Sequence, residues 1–160
     1  MAGEGTGSTF GVLKVFVSRR GAEEEEAAKG LRMQIDEISA VVIDECIAIH
    51  RELEPGLFET VYETVLAGRL QARGLKVERQ VPVPLIFEGQ SFETAFRIDI
   101  LVEDRLVLEL KAVEQLSKAH AKQLLTYLRI LKQPVGLLLN FSGETMKEGI
   151  RRMVNDHKPE

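Results

Sequence analysis

At Gly74 the hydrophobic period of this chain switches from that of a helix to that of a strand, and few folds accommodate the order that follows. Before the switch, Ile35, Ile38, Val42, Ile49 and Leu53 recur at helical spacing, with Glu37, Asp44, Arg51 and Glu52 on the opposite face. That pattern predicts an amphipathic helix over about 31–53. Cys46 and His50 lie four apart on it. Glu54-Pro55-Gly56 ends it, and a second helix is predicted over about 57–73, with Gly74 as its closing glycine. After Gly74 the apolar residues alternate. Residues 77–87 and 92–102 read as strands around a Glu88-Gly89-Gln90 turn, and 106–112 as a third. Ser117 is placed to cap a helix running to about Leu131. Pro134 then opens an almost wholly apolar strand, 135–141, a pattern that implies burial on both sheet faces. A last helix is expected over 144–154.

The order α-α-β-β-β-α-β-α predicts one α/β domain over 31–156, with a mixed central sheet of about four strands flanked by helices. Pro82 and Pro84 remove two N–H donors from one edge of their strand, which makes it an edge strand. Residues 1–30 differ from the rest. They join a Gly/Ser/Thr-rich start, a short apolar run and the block Glu23–Glu26, and they read as a tail without a fixed fold.

Composition excludes several classes. A chain of 160 residues fits one domain. Its single cysteine, Cys46, permits neither a disulfide framework nor a Cys-based zinc site, and points to a reducing, cytoplasmic setting. No apolar run is long enough to span a membrane. A net charge of −4 argues against a protein that coats nucleic acid by bulk charge. It leaves room for acidic metal ligands beside a local basic rim.

The charges that a plain core does not explain fall on the middle strands. Asp99 lies between Ile98 and Ile100, on the face of Arg97 if the strand alternates regularly. In the next strand Leu106, Leu108 and Leu110 share one face, and Glu109 and Lys111 share the other. If Val102 pairs with Leu106 across Glu103-Asp104-Arg105, Asp99 lies opposite Glu109, and the apolar patterns favour that register. Two facing carboxylates repel. Lys111 and Arg97 are one remedy, and a divalent cation is another, because Mg²⁺ sites use one or two carboxylates plus waters and phosphate oxygens. Glu59 and Tyr62 begin the second helix. Gln123 and Tyr127 share a face of the Ser117 helix, with His120 in the same row. Each has a plain explanation: Glu59 complements a helix dipole, and the tyrosines pack.

Gly56-Leu57-Phe58-Glu59-Thr60-Val61-Tyr62 carries the G-x-x-E-x-x-Y signature. Together with Arg97-Ile98-Asp99, Glu109-Leu110-Lys111, the block Gln123–Tyr127 and Asn140-Phe141, it resembles the GxxExxY protein family of the PD-(D/E)XK nuclease-like superfamily. The resemblance implies a restriction-endonuclease-like fold with an α-β-β-β-α-β core, and a Mg²⁺- or Mn²⁺-dependent nuclease acting on nucleic acid, with DNA the expected polymer. It implies that Asp99, Glu109 and the Leu110 carbonyl bind the metal, that Lys111 positions or activates water, that Glu59 contributes to the metal site, and that Gln123 and Tyr127 lie near the substrate backbone. The proline of the superfamily's name is absent, since Ile98 precedes Asp99.

Arg69, Arg73, Lys76 and Arg79 form one basic cluster, Lys118, Lys122, Arg129 and Lys132 a second, and Arg151-Arg152 a third. Those near Lys111 are the better candidates for phosphate contacts. The chain has no Trp and two Tyr, so no aromatic platform for single strands is evident. The competing reading is a non-catalytic nucleic-acid- or protein-binding module that keeps the fold. The acidic balance also suits a nuclease that gains affinity from a protein partner or a second copy.

Overall fold

A computed structural model describes residues 32–156, so the expected tail lies outside the described residues. Helix α1 is Ile35–Leu53 and α2 is Glu59–Ala72. Strands β1 (Val77–Phe87), β2 (Gln90–Val102) and β3 (Leu106–Lys111) follow, then α3 (Lys118–Leu131), β4 (Val135–Asn140), a four-residue helix α4 (Met146–Gly149) and β5 (Ile150–Val154). No helix among the described residues is long and apolar enough to cross a membrane.

The helices start and stop where local chemistry directs them. Glu37 accepts the Gln34 N–H at 2.8 Å, satisfying a donor at the start of α1. Ser117 accepts the His120 N–H at 3.3 Å, and His120 Nδ1 accepts the Ser117 N–H at 3.1 Å. This reciprocal cap accounts for His120. Gly74, with φ 82, closes the turn after α2.

The sheet is mixed, in the order β1-β2-β3-β4-β5. Neighbours are antiparallel except β3 and β4, which run parallel through the α3 crossover. The single domain and its flanking helices match the predicted α/β class, with five strands in place of four. β1 lies at an edge, as Pro82 and Pro84 require. The helix expected over 144–154 is replaced by α4 and β5. The chain passes so close to β4 that a Cβ at Gly149 would overlap the Asn140 carbonyl oxygen. Beyond that contact Ile150 pairs with Leu139, and Val154 with Val135, so the backbone donors find partners on the open edge of β4.

Two cores sandwich this sheet. On one face α1 and α2 bury Ile38, Val42, Ile49, Tyr62 and Leu66 against Ile100, Leu108, Leu110, Leu137 and Leu139. On the other, Leu124 and Leu128 of α3 pack on Val81, Val83, Ile98, Leu101, Val107 and Leu138. All six residues of β4 are buried, as their composition predicts.

Regular alternation along β2 fails at Asp99. Ile98 belongs to the α3-side core and Ile100 to the opposite one, although they stand two apart. The pleat therefore inverts between the pairs Arg79–Ile100 and Val81–Ile98. Gln80 sits at this step with φ 49. A left-handed residue inside a strand re-aims its neighbours as a bulge does, which frees Asp99 from the Arg97 face assigned by simple alternation.

Gly149→Ala forces α4 off Asn140. An expected loss of roughly 1–3 kcal/mol, typical of overpacking, would appear as a lower urea midpoint with unchanged slope. An unchanged midpoint would mean that the Gly149 contact does not constrain the fold.

Candidate active site

The β2–β3 hairpin adopts the register in which Val102 pairs with Leu106, Leu101 with Val107 and Ile100 with Leu108. Glu103 and Asp104 take φ values of 53 and 55, and Arg105 N–H bonds to the Val102 carbonyl at 3.0 Å. Asp99 then stands at the end of this ladder. Its Oδ2 accepts the Leu110 N–H at 2.8 Å. A side chain thus takes the place of a main-chain acceptor, and Asp99 is brought beside Glu109.

Glu109 is 7% exposed. Lys111 Nζ approaches its Oε1 at 3.4 Å. Its Oε2 is buried and has no hydrogen-bond partner among the described residues, an expensive state for a carboxylate oxygen. Burial, and then the Asp99 charge, push the Glu109 carboxyl up to about 7, against the pull of Lys111. Burial is also the main cause that raises Asp99, opposed by the Leu110 N–H. The charge of Lys111 pulls against both rises and so offsets the pair.

Both flanking layers reach this point. From α2, Glu59 accepts the Ala112 N–H at 3.2 Å, at the exit of β3, and its charge adds to the strain on Asp99 and Glu109. From α3, Tyr127 stacks on Phe96 with ring centroids 3.9 Å apart. Burial, then the charges of Glu109 and Asp99, raise its hydroxyl pKa, while a bond from Gln123 lowers it. The structure therefore brings Glu59, Asp99, Glu109, Lys111, Gln123 and Tyr127 to one end of the sheet.

Tyr62, the last residue of the signature, serves the frame. It is fully buried and stacks on Phe141 at 4.6 Å. Its hydroxyl donates to the Glu54 carbonyl at 2.7 Å and accepts the Leu57 N–H at 3.2 Å. Gly56, with φ 109, lies inside the turn so braced, a conformation natural to glycine. The signature is thus a device that sets where α2 begins and hence where Glu59 points. Asn140 ties the exits of β3 and β4 together: its Oδ1 accepts the Val113 N–H at 3.0 Å, and its Nδ2 donates to the Val113 carbonyl at 2.8 Å.

Sequence reasoning missed Glu63. It is 4% exposed and holds Arg79 at 3.0 Å and Gln80 at 2.9 Å. Gln80 Nε2 in turn lies 3.5 Å from Asp99 Oδ1. Its place one helical turn after Glu59 was the available signal. The first basic cluster, by contrast, is taken up within the fold. Arg69 pairs with Glu52 and Glu45, Arg73 with Glu45, Lys76 with Asp104 and Glu78, and Arg79 with Glu63.

The donor set fits a divalent cation with oxygen ligands. A buried carboxylate, Glu109, lies beside the half-buried Asp99, and Glu109 carries an oxygen with no hydrogen-bond partner among the described residues. Among the described residues no group of three or more His, Cys, Asp or Glu side chains is arranged to hold a metal. Any ion here would draw on two carboxylates and main-chain or water oxygens, as Mg²⁺ commonly does.

The family model of the PD-(D/E)XK nuclease superfamily matches residues 36–153. No curated protein and no solved structure matches the chain.

The raised Glu109 carboxyl has a pH signature. Its ordinary value is near 4.5 and its folded value about 7, so the folded chain binds the extra proton between them. Stability is then fully present below about 4.5 and is lost as pH rises through about 7. The loss is on the order of 3 kcal/mol. Urea midpoints in EDTA should fall across this range, and Glu109→Gln should flatten the fall. A level wild-type profile would contradict the assignment.

Proposed function

The chain belongs to the PD-(D/E)XK nuclease superfamily, and from that premise we propose that it hydrolyses phosphodiester bonds of DNA with a divalent cation held by Asp99, Glu109 and the Leu110 carbonyl. The observation that carries this reading is the Glu109 Oε2 beside Asp99, which has no hydrogen-bond partner among the described residues. A fold selected for stability alone gains nothing from a buried carboxylate set beside a half-buried one and offset by one lysine. The signature from Gly56 to Tyr62 supports placement in the GxxExxY family.

A divalent cation at this position supplies Lewis acidity towards a phosphoryl oxygen and lowers the pKa of a water. The chain's own groups do the rest. Lys111, beside Glu109, is placed to orient the attacking water or to stabilise charge that develops on the phosphate. Asp99 is held in place by the Leu110 N–H, which leaves its Oδ1 to a ligand and to Gln80. Gln123 and Tyr127 wall the α3 side, where they contact the backbone of a bound strand. Because Arg69, Arg73, Lys76 and Arg79 are committed to acids of the fold, affinity for a polyanion rests on other cations, on a protein partner or on a second copy of the chain.

In Mg²⁺ or Mn²⁺ the purified chain should cut labelled DNA. Asp99→Asn and Lys111→Ala should each lower the rate roughly a hundredfold or more. Cutting that persists in EDTA, or survives Asp99→Asn, would refute the proposal. Metal-dependent stabilisation without cutting would instead favour a binding module.

A further inference from the structure

Phe58 is 84% exposed, the most exposed of the large apolar side chains among the described residues. It occupies the N-cap of α2 and makes no capping bond, where Ser, Thr, Asp or Asn would satisfy a free N–H. It does not staple the helix either. That place belongs to Leu57, one residue earlier, whose N–H bonds to the Tyr62 hydroxyl. Neither packing nor capping therefore accounts for an aromatic ring here.

Its surroundings do. The turn Gly56–Thr60, together with Ala112 and Ser142, lines a shallow cavity that opens widely to solvent. Ala112 directly follows Lys111, and Glu59 lines the cavity while accepting the Ala112 N–H. The cavity thus begins where the candidate active site ends, at the C-terminal ends of the parallel strands β3 and β4. It combines an exposed ring and Leu57 with the hydroxyl residues Thr60 and Ser142. An apolar surface beside hydrogen-bonding groups suits a nucleobase, which has a flat face and a polar edge.

We propose that this cavity receives an unpaired nucleobase flanking the scissile phosphate, stacked on Phe58, and that the protein accordingly prefers single-stranded over duplex DNA. The inference rests on the nuclease reading of the neighbouring site and adds to it the form of the substrate. Stacking beside an internal phosphate requires a base that has left the duplex stack, because a base within the stack has both faces covered. In a chain without Trp, Phe58 supplies the aromatic platform.

Fluorescence anisotropy with a labelled dT12 strand and a 12-base-pair duplex, both in EDTA, tests this without requiring cleavage. The wild type should bind the single strand more tightly. Phe58→Ala should weaken that binding about five- to a hundredfold, the effect of losing one stacked base, with little change for the duplex. Phe58→Trp should restore it. Equal loss for both forms, no loss for either, or a wild type that binds neither would overturn the proposal. So would a Phe58→Ala whose only effect, by analytical ultracentrifugation, is to dissociate a dimer, since the ring would then cover a second copy. Failure of the nuclease reading would show separately, as absence of metal-dependent cutting by a wild type that still binds dT12.

Discussion

Two carboxylates placed together at the end of a buried strand are the constraint around which this molecule is arranged. Asp99 and Glu109 repel each other, both are desolvated, and Lys111 is the cation that offsets them. Left to itself, such a cluster lowers stability in neutral solution. The rest of the fold carries that cost through a sheet whose central strands are buried on both faces and whose two cores are densely aliphatic.

The scaffold converges on this point from three directions. β3 and β4 are the parallel pair, and their exits are clamped by Asn140. The turn braced by Tyr62 aims α2 so that Glu59 reaches Ala112, and α3 brings Gln123 and Tyr127 over the opposite face. The pleat inversion at Gln80 and Asp99 allows one carboxylate to leave the regular alternation of β2 and take the Leu110 N–H. Glu63 steadies this step through Gln80. Tyr62, Gln80 and Glu63 thus act at one remove, through the carboxylates whose placement they brace.

Much of this was legible in the sequence because strong local patterns agreed with the tertiary fold. The alternation of Leu106, Leu108 and Leu110 specified the face of Glu109 and Lys111, and a three-residue loop specified the register. Pro82 and Pro84 marked an edge. β5 was not legible, because a short segment with Ile150, Met153 and Val154 satisfies a helical period as well as a strand. Its identity depends on the open edge of β4 and on the close passage at Gly149. Apart from its place one helical turn after Glu59, nothing in the residue pattern separates Glu63 from an ordinary helix-surface charge, and the approach of Arg79 and Gln80 gives it its role. The inversion of β2 depends on the left-handed turn of a glutamine in the neighbouring strand, for which no residue pattern is diagnostic.

If this site takes a metal ion, the ion binds the Glu109 oxygen that has no hydrogen-bond partner among the described residues. Anomalous diffraction from a crystal soaked in Mn²⁺ tests it most directly. A single Mn²⁺ peak is predicted about 2.1 Å from carboxylate oxygens of both Asp99 and Glu109, and it should vanish in Asp99→Asn. A site that stays empty at saturating Mn²⁺, with Lys111 closed onto both carboxylates, would contradict the account.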